Sequence, residues 1–187
     1  GAPFYLDELI LSEEPDEIQS FFNCKANCSE SQPLGLEDRT IPDDQISASS
    51  SYNGNDQYGY RPPWQGRLNN NGSWAPADAI DPWIEVDFLK GTTVTVSGVI
   101  TQGSPTTTAR VTSYTVRYQT ESSPSSTYQY VTNGNGHVEI FDGNVNDTDT
   151  PVENLFRESF VATNVRIEPL SYIQYVVLRF ELLGCRM

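Results

Sequence analysis

Basic residues, histidine and long apolar runs are what this chain has least of. Eleven Lys and Arg stand against 25 Asp and Glu, a formal net charge of −14 over 187 residues. A surface of that sign is repelled by phosphate backbones, so no nucleic-acid partner is expected, and it gains no electrostatic steering toward anionic lipid. The single histidine, His137, opens a predicted strand beside a turn, and no nucleophile motif accompanies it. It reads as a structural or solvated residue rather than a general base. Gly-x-Ser-x-Gly, His-Glu-x-x-His and a phosphate-cradling glycine loop are missing as well. No apolar run approaches the roughly 20 residues that cross a bilayer. The opening Gly1-Ala2-Pro3 carries no signal-peptide pattern and fits a processed or engineered start.

Cysteine is scarce but placed informatively. Cys24 and Cys28 lie near the start of the main body, and Cys185 is third from the end. A Cys28–Cys185 pair would staple the domain's ends and imply an oxidising compartment, leaving Cys24 free or paired with another chain. In the chain-entropy account a loop of that length is worth roughly 5 kcal/mol. A zinc site is the rival, poorly served by three dispersed cysteines and one histidine. Three sequons, at Asn27, Asn71 and Asn146, fit the same secreted or cell-surface setting.

What the chain does have is aromatic and apolar mass: 37% hydrophobic residues, with 10 Tyr, 8 Phe and 3 Trp. That suffices for the core of one sizeable domain. Residues 1–27 stand apart as an acidic extension, holding Asp7, Glu8, Glu13, Glu14, Asp16 and Glu17. Ser12-Glu13-Glu14-Pro15 has the chemistry of a helix start, and Ile18, Phe21 and Phe22 follow at helical spacing. One short helix in a linker is expected there.

From Pro33 the pattern is β. Val94, Val96, Gly98 and Ile100 alternate with polar or smaller neighbours, as do Tyr114, Val116 and Tyr118; Val138 and Ile140; and Val176, Leu178, Phe180 and Leu182. Period 2 marks strands with one buried face. Turn clusters at 102–105, 122–125, 133–136 and 142–144 separate them, so a sandwich or barrel is expected. Glu85 and Asp87 share one face of the Trp83-to-Phe88 strand, like a glycosidase carboxylate pair. Inward Ile84, Val86 and Phe88 would place them there by alternation alone. Asp43 with Asp44, or Asp147 with Asp149, have calcium-ligand chemistry, as many short acidic turns do. The expectation is no enzyme and no cofactor, with structural calcium left open.

The order of motifs resembles one family. Cys28, Pro33-Leu34-Gly35-Leu36-Glu37-Asp38 and Asp44-Gln45-Ile46-Ser47-Ala48-Ser49-Ser50 are followed by Arg67-Leu68-Asn69, Trp74 and Trp83-Ile84-Glu85-Val86-Asp87-Phe88. Then come Ile100-Thr101-Gln102-Gly103, Val111-Thr112-Ser113-Tyr114, Phe141-Asp142-Gly143-Asn144, Val165-Arg166-Ile167-Glu168-Pro169 and Leu178-Arg179-Phe180-Glu181-Leu182-Leu183-Gly184-Cys185. Residues 28–187 in this order resemble a discoidin domain, the coagulation factor V and VIII type C domain. The resemblance implies an all-β, distorted jelly-roll barrel or sandwich of about eight strands, with its ends bridged by Cys28 and Cys185. It also implies three ligand-binding loops, or spikes, at one end: Ser51–Pro63, Asn70 to about Asp81, and Ser104–Arg110.

Such domains bind phosphatidylserine membranes, collagen, peptides or sugars, and loop chemistry must choose. Membrane entry asks for large apolar tips with basic residues behind them. The first spike offers Tyr52, Tyr58 and Tyr60 with one base, Arg61; the third has no large apolar residue; and a glycan at Asn71 would hold the second away from a bilayer. Tyr, Ser, Asn and Gly together are paratope chemistry. The resemblance to peptide-binding members points to Tyr52, Asp78 and Ser104 or Thr107 as pocket residues. Asn55, Gln57, Tyr58, Tyr60, Arg61 and Arg110 join them as candidate contacts, while Trp74 and Trp83 are expected in the core. The third spike is shorter and the first longer than in those members. An extracellular protein, peptide or glycan ligand is therefore expected, with membrane phospholipid as the alternative. A domain whose ligand contacts lie in neighbouring domains is a third reading.

Overall fold

The computed structural model describes residues 31–54, 59–88, 92–120 and 127–186. The expected N-terminal helix, Asn27, Cys24 and Cys28 lie outside them. Among the described residues the chain forms twelve strands: β1 Gln32–Pro33, β2 Ile46–Ala48, β3 Tyr52–Asn53, β4 Tyr60–Arg61, β5 Ile84–Asp87, β6 Val94–Gln102, β7 Arg110–Gln119, β8 Gln129–Tyr130, β9 Phe141–Asp142, β10 Val152–Ala162, β11 Asn164–Ile173 and β12 Arg179–Arg186. Five of these are two-residue pairings, which is why the count exceeds the expected eight. Every pairing between them is antiparallel. One sheet runs β1-β12-β6-β10 and the other β2-β5-β11-β7-β8, with β9 also on β7. β3 and β4 form a separate hairpin.

The alternation forecast along β5, β7 and β12 holds because each turns its apolar face between the two large sheets; in β12 the opposite face, with Arg179 and Glu181, is buried as well. Ile84 and Val86 of β5, Tyr114 and Val116 of β7, Val165 and Ile167 of β11, and Phe180 and Leu182 of β12 share one core cluster with Trp74. Trp74 is fully buried, and its indole Nε1 donates to Ser50 O at 3.0 Å. Tyr114 is buried too; desolvation pushes its phenol well above the ordinary range, while Asn154 Nδ2 donates to it at 3.1 Å.

β6 breaks the expected phase. Opposite it, Leu183 pairs with Gly98 and Gly184 with Val96, so Ser97 is an extra residue without a partner on β12. Such a bulge shifts the alternation by one. Val94 and Val96 face the core before it and Val99 after it, leaving Ile100 half-buried. The 137–140 stretch also departs from forecast. Only a single bridge, Thr132 with Val138, forms there, and Val138 and Ile140 are exposed. The turn before it does form: Asn133 Oδ1 accepts the Asn135 and His137 amides at 3.0 and 3.2 Å.

Two buried charges hold the loop that leads into the spikes. Glu181 accepts the amides of Leu36 at 3.1 Å, Glu37 at 2.8 Å and Leu182 at 2.9 Å. Burial pushes its carboxyl up, with those amides pulling the other way. Arg67 follows a 3-10 turn at Pro63–Gly66 and makes one bridge to Phe180. Its guanidinium donates to Leu36 O and Ile41 O, each at 2.8 Å, and to Asp43 Oδ1 at 2.5 Å.

Candidate ligand-binding site

Long charged and amide side chains from the barrel body set the bases of the second and third spikes. Arg179, buried on β12, donates through Nε to Gly103 O at 2.7 Å and through Nη1 to Asn70 O at 3.1 Å. Its Nη2 reaches Asp149 Oδ1 at 3.0 Å. Gln102 joins the same knot: its Oε1 accepts the Asn69 amide at 2.9 Å, and its Nε2 donates to Asn69 Oδ1 at 2.9 Å and Asp149 O at 2.6 Å. The first spike is the β3–β4 hairpin, with Tyr52 opposite Arg61 and Asn53 opposite Tyr60. Its tip residues Asn55, Gln57 and Tyr58 lie outside the described residues.

The spikes enclose a hollow of about 340 Å³. Its floor is the small apolar cluster Ala75, Ala109 and Val177, on which the half-buried Tyr52 ring packs. A Cβ at Gly54 would overlap that ring, so the glycine lets the hairpin close over it. Tyr52 and Arg61 from the first spike, Asp78 from the second and Thr107 from the third all line the hollow. Arg61 Nη1 donates to Ser73 Oγ at 2.6 Å, which ties the first spike to the second. Asp78 Oδ1 accepts the Ile80 amide at 3.0 Å, a turn that fixes its carboxylate at the rim.

Other forecast contacts serve different ends. Ser104 is fully buried, and its Oγ accepts the Thr106 and Thr107 amides at 3.3 and 3.1 Å. A hydroxyl spent on the turn shapes the third spike and does not face the hollow. Arg110 likewise spends its guanidinium on carbonyls: Asn144 O and Thr108 O at 2.8 Å, and Val145 O at 3.1 Å. Tyr60 stands apart from the hollow that holds Tyr52; it lines a second, larger one of about 660 Å³ with Trp64, and Arg61 lines both. Trp83 is half-buried rather than core, with the Arg166 guanidinium 4.0 Å over its ring. Glu85 is buried although it faces away from the core, because Arg166 Nε donates to it at 2.9 Å and Tyr128 OH at 2.5 Å.

A fourth loop escaped the sequence reading. Tyr172 at the end of β11, with Gln174 and Tyr175 in the loop that follows, forms one wall of the 340 Å³ hollow. Gln174 has φ +63°, an uncommon left-handed conformation that turns the chain there. The signal was an aromatic cluster, Tyr172-Ile173-Gln174-Tyr175, all four residues of which are exposed.

Three of the four acids considered for calcium, Asp43, Asp147 and Asp149, are engaged otherwise. Asp43 meets Arg67, Asp149 meets Arg179, and Asp147 Oδ1 accepts the Asp149 and Thr150 amides at 2.9 and 2.7 Å. Those amide bonds hold the Asp147 carboxyl below the ordinary range. Among the described residues no three His, Cys, Asp or Glu side chains gather in a way that would hold a metal. Cys185 is disulfide-bonded. Asn71 and Asn146 are both exposed.

Known proteins share this fold. The F5/8 type C domain model matches residues 45–182. The chain belongs to the F5/8 type C domain family. F5/8 type C domains are non-catalytic binding modules for proteins, glycans or phospholipids. The chain is 38% identical to lactadherin of Rattus norvegicus over 161 residues, which are 83% of this chain and 36% of that protein. It is 36% identical to coagulation factor VIII of Canis lupus familiaris over 159 residues, 83% of this chain and 6% of that one. The chain thus spans about a third or less of these relatives. Among solved structures, discoidin II from Dictyostelium discoideum superposes with a TM-score of 0.67 at 20% identity, covering 85% of this chain and 60% of that one. The family 32 CBM from C. perfringens NanJ, solved in complex with galactose, gives 0.56 at 13% identity, covering 83% and 100%. Both share the fold.

Proposed function

We propose that this F5/8 type C domain is a non-catalytic, extracellular recognition module that takes a protein, peptide or glycan ligand in the 340 Å³ hollow, with residues 1–27 as an acidic extension to a domain body of 28–187. The supporting observation is that Tyr52, Asp78 and Thr107, one from each spike, line a single hollow with an apolar floor. An apolar base with a few convergent polar groups is the usual make-up of a ligand site. The net charge of −14 favours a basic partner, such as an Arg- or Lys-bearing peptide or a collagen-like surface. The disulfide at Cys185 and the exposed Asn71 and Asn146 sequons support the extracellular setting. Galactose in the related carbohydrate-binding fold keeps glycans within the ligand class to be tested.

The test is a glycan and matrix-protein array, followed by titration of any hit against Tyr52→Ala, Asp78→Ala and Thr107→Val. Losses of about tenfold or more for at least two of the three are expected. Unchanged affinity in all three would remove the hollow as the binding site.

One observation favours the membrane alternative. Ile80 and Tyr175 are 78% and 69% exposed, and Tyr172 and Ile173, close to Tyr175 in the chain, are exposed as well. Tyr172 and Tyr175 line the hollow, and apolar side chains there suit an interface. Phosphatidylserine-dependent pelleting with liposomes at physiological salt, abolished in Ile80→Ser/Tyr175→Ser, would make phospholipid the ligand instead.

A further inference from the structure

The larger hollow, about 660 Å³, has different chemistry from the smaller one. Tyr60 and Trp64 meet edge to face at its rim, their centroids 5.9 Å apart and their planes at 76°. Both rings are open to solvent, at 48% and 37% exposure. Amide and hydroxyl groups of Gln65, Asn70, Asn71 and Thr106 line it as well, beside the charged Arg39, Asp43 and Arg61. Asn71 is also the acceptor position of the sequon Asn71-Gly72-Ser73.

The local structure turns that asparagine alone outward. Asn70 Nδ2 donates to Gln65 O at 3.0 Å. A Cβ at Gly72 would meet the tip of the Gln65 side chain, which packs against the glycine. Ser73 is fully buried, its Oγ held by Arg61. Asn71 is the exposed member of the tripeptide, on a loop pinned at both sides. A pyranose has an apolar C–H face and a polar rim; an aromatic corner covers the first, and amides and a hydroxyl meet the second.

We propose that Asn71 carries an N-linked glycan whose first N-acetylglucosamine docks on Tyr60 and Trp64, so that the chain's own sugar fills the larger hollow and an outside ligand has only the smaller one. The donor is a polyprenyl-diphosphate-linked oligosaccharide of the secretory pathway. The Asn71 Nδ2–C1 bond forms as the C1–O bond to the diphosphate breaks; the diphosphate leaves with the electron pair, and the amide proton passes to solvent. The assignment rests on the extracellular reading but not on the ligand reading. Asn146 supplies the internal contrast: it is an exposed sequon that lines neither hollow.

The experiment uses the full chain secreted from a glycosylating eukaryotic cell. Glycopeptide mass spectrometry is expected to find Asn71 occupied. Asn71→Gln is expected to lower Tm by about 2–4 °C. In a Tyr60→Ala/Trp64→Ala background the same substitution is expected to change Tm by less than about 1 °C, and Asn146→Gln gives no such coupling. On the unsubstituted chain, enzymatic removal of all sugar is expected to raise acrylamide quenching of tryptophan emission, whereas trimming to a single N-acetylglucosamine leaves it unchanged. This readout serves if the double variant fails to fold. An unoccupied Asn71, or equal Tm loss with and without the rings, or unchanged quenching on full removal, overturns the proposal. Array binding by Asn71→Gln is scored separately, so failure of the sugar assignment and failure of the ligand reading remain distinct.

Discussion

Arg61 Nη1 donates to Ser73 Oγ across 2.6 Å, and the same arginine lines both hollows, so this bond is the partition between them. Arg61→Met keeps the stem and removes the donor. A charged hydrogen bond to a buried hydroxyl, from a half-exposed arginine, is worth about 1–2 kcal/mol. The expected result is a lower urea midpoint at unchanged m-value.

Arg67 places a cation against Leu36 O, Ile41 O and the Asp43 carboxylate, the oxygen types that a hard metal ion takes. Arg67→Met leaves two carbonyls without their donor and is expected to cost about 2–4 kcal/mol in denaturant unfolding. With that role filled by a side chain, neither calcium nor a chelator is expected to move the wild-type Tm. A calcium-dependent rise would show a metal position that these contacts do not account for.

Asp147 gives a pH signature. The Thr150 and Asp149 amides hold its folded-state carboxyl below the unfolded value. The folded chain therefore binds this proton less readily than the unfolded chain. Its contribution is complete above the unfolded value near ~4 and fades as pH falls through the lower folded value. Wild type is expected to exceed Asp147→Ala in Tm at pH 7, with the gap closing progressively below about pH 4. A gap that stays constant to pH 2 would contradict the assignment.

Gly184 sits where β12 crosses the β6 bulge, and a Cβ there would overlap the Thr95 carbonyl. Backbone on backbone cannot yield as a side-chain tip can. Gly184→Ala is expected to cost about 1–3 kcal/mol or more, read as a lower thermal midpoint.

Much of this architecture was legible because burial and period report the same thing in a one-sided strand. Ile84, Val86 and Phe88 read correctly as inward, and Trp74 as core. Ser97 was not legible, since a bulge is a matter of pairing between strands and leaves no local mark in a run of Val, Thr and Ser. Val138 and Ile140 misled for the converse reason: apolar alternation is present, but no sheet covers it. At the proposed site, Tyr52, Asp78 and Thr107 were assigned to the three spikes through family order, and all three line one hollow. Ser104 could not be told from Thr107 by residue type, because both are hydroxyls in one short loop and only the fold decides which faces inward. Tyr172 and Tyr175 lie far along the chain from the three spikes at 51–110, and only the folded barrel brings them to the same hollow.

Arg179 grips the loops mainly by their main chain: Gly103 O, Asn70 O and, at 3.5 Å, Thr148 O. Any amino acid presents a carbonyl. The footing of these loops is therefore indifferent to the exposed side chains displayed beyond it, at 71, 77–80, 106 and 108. Mutation can rewrite what is displayed while the anchor stays put, so one scaffold can explore new partners with little risk to its own folding.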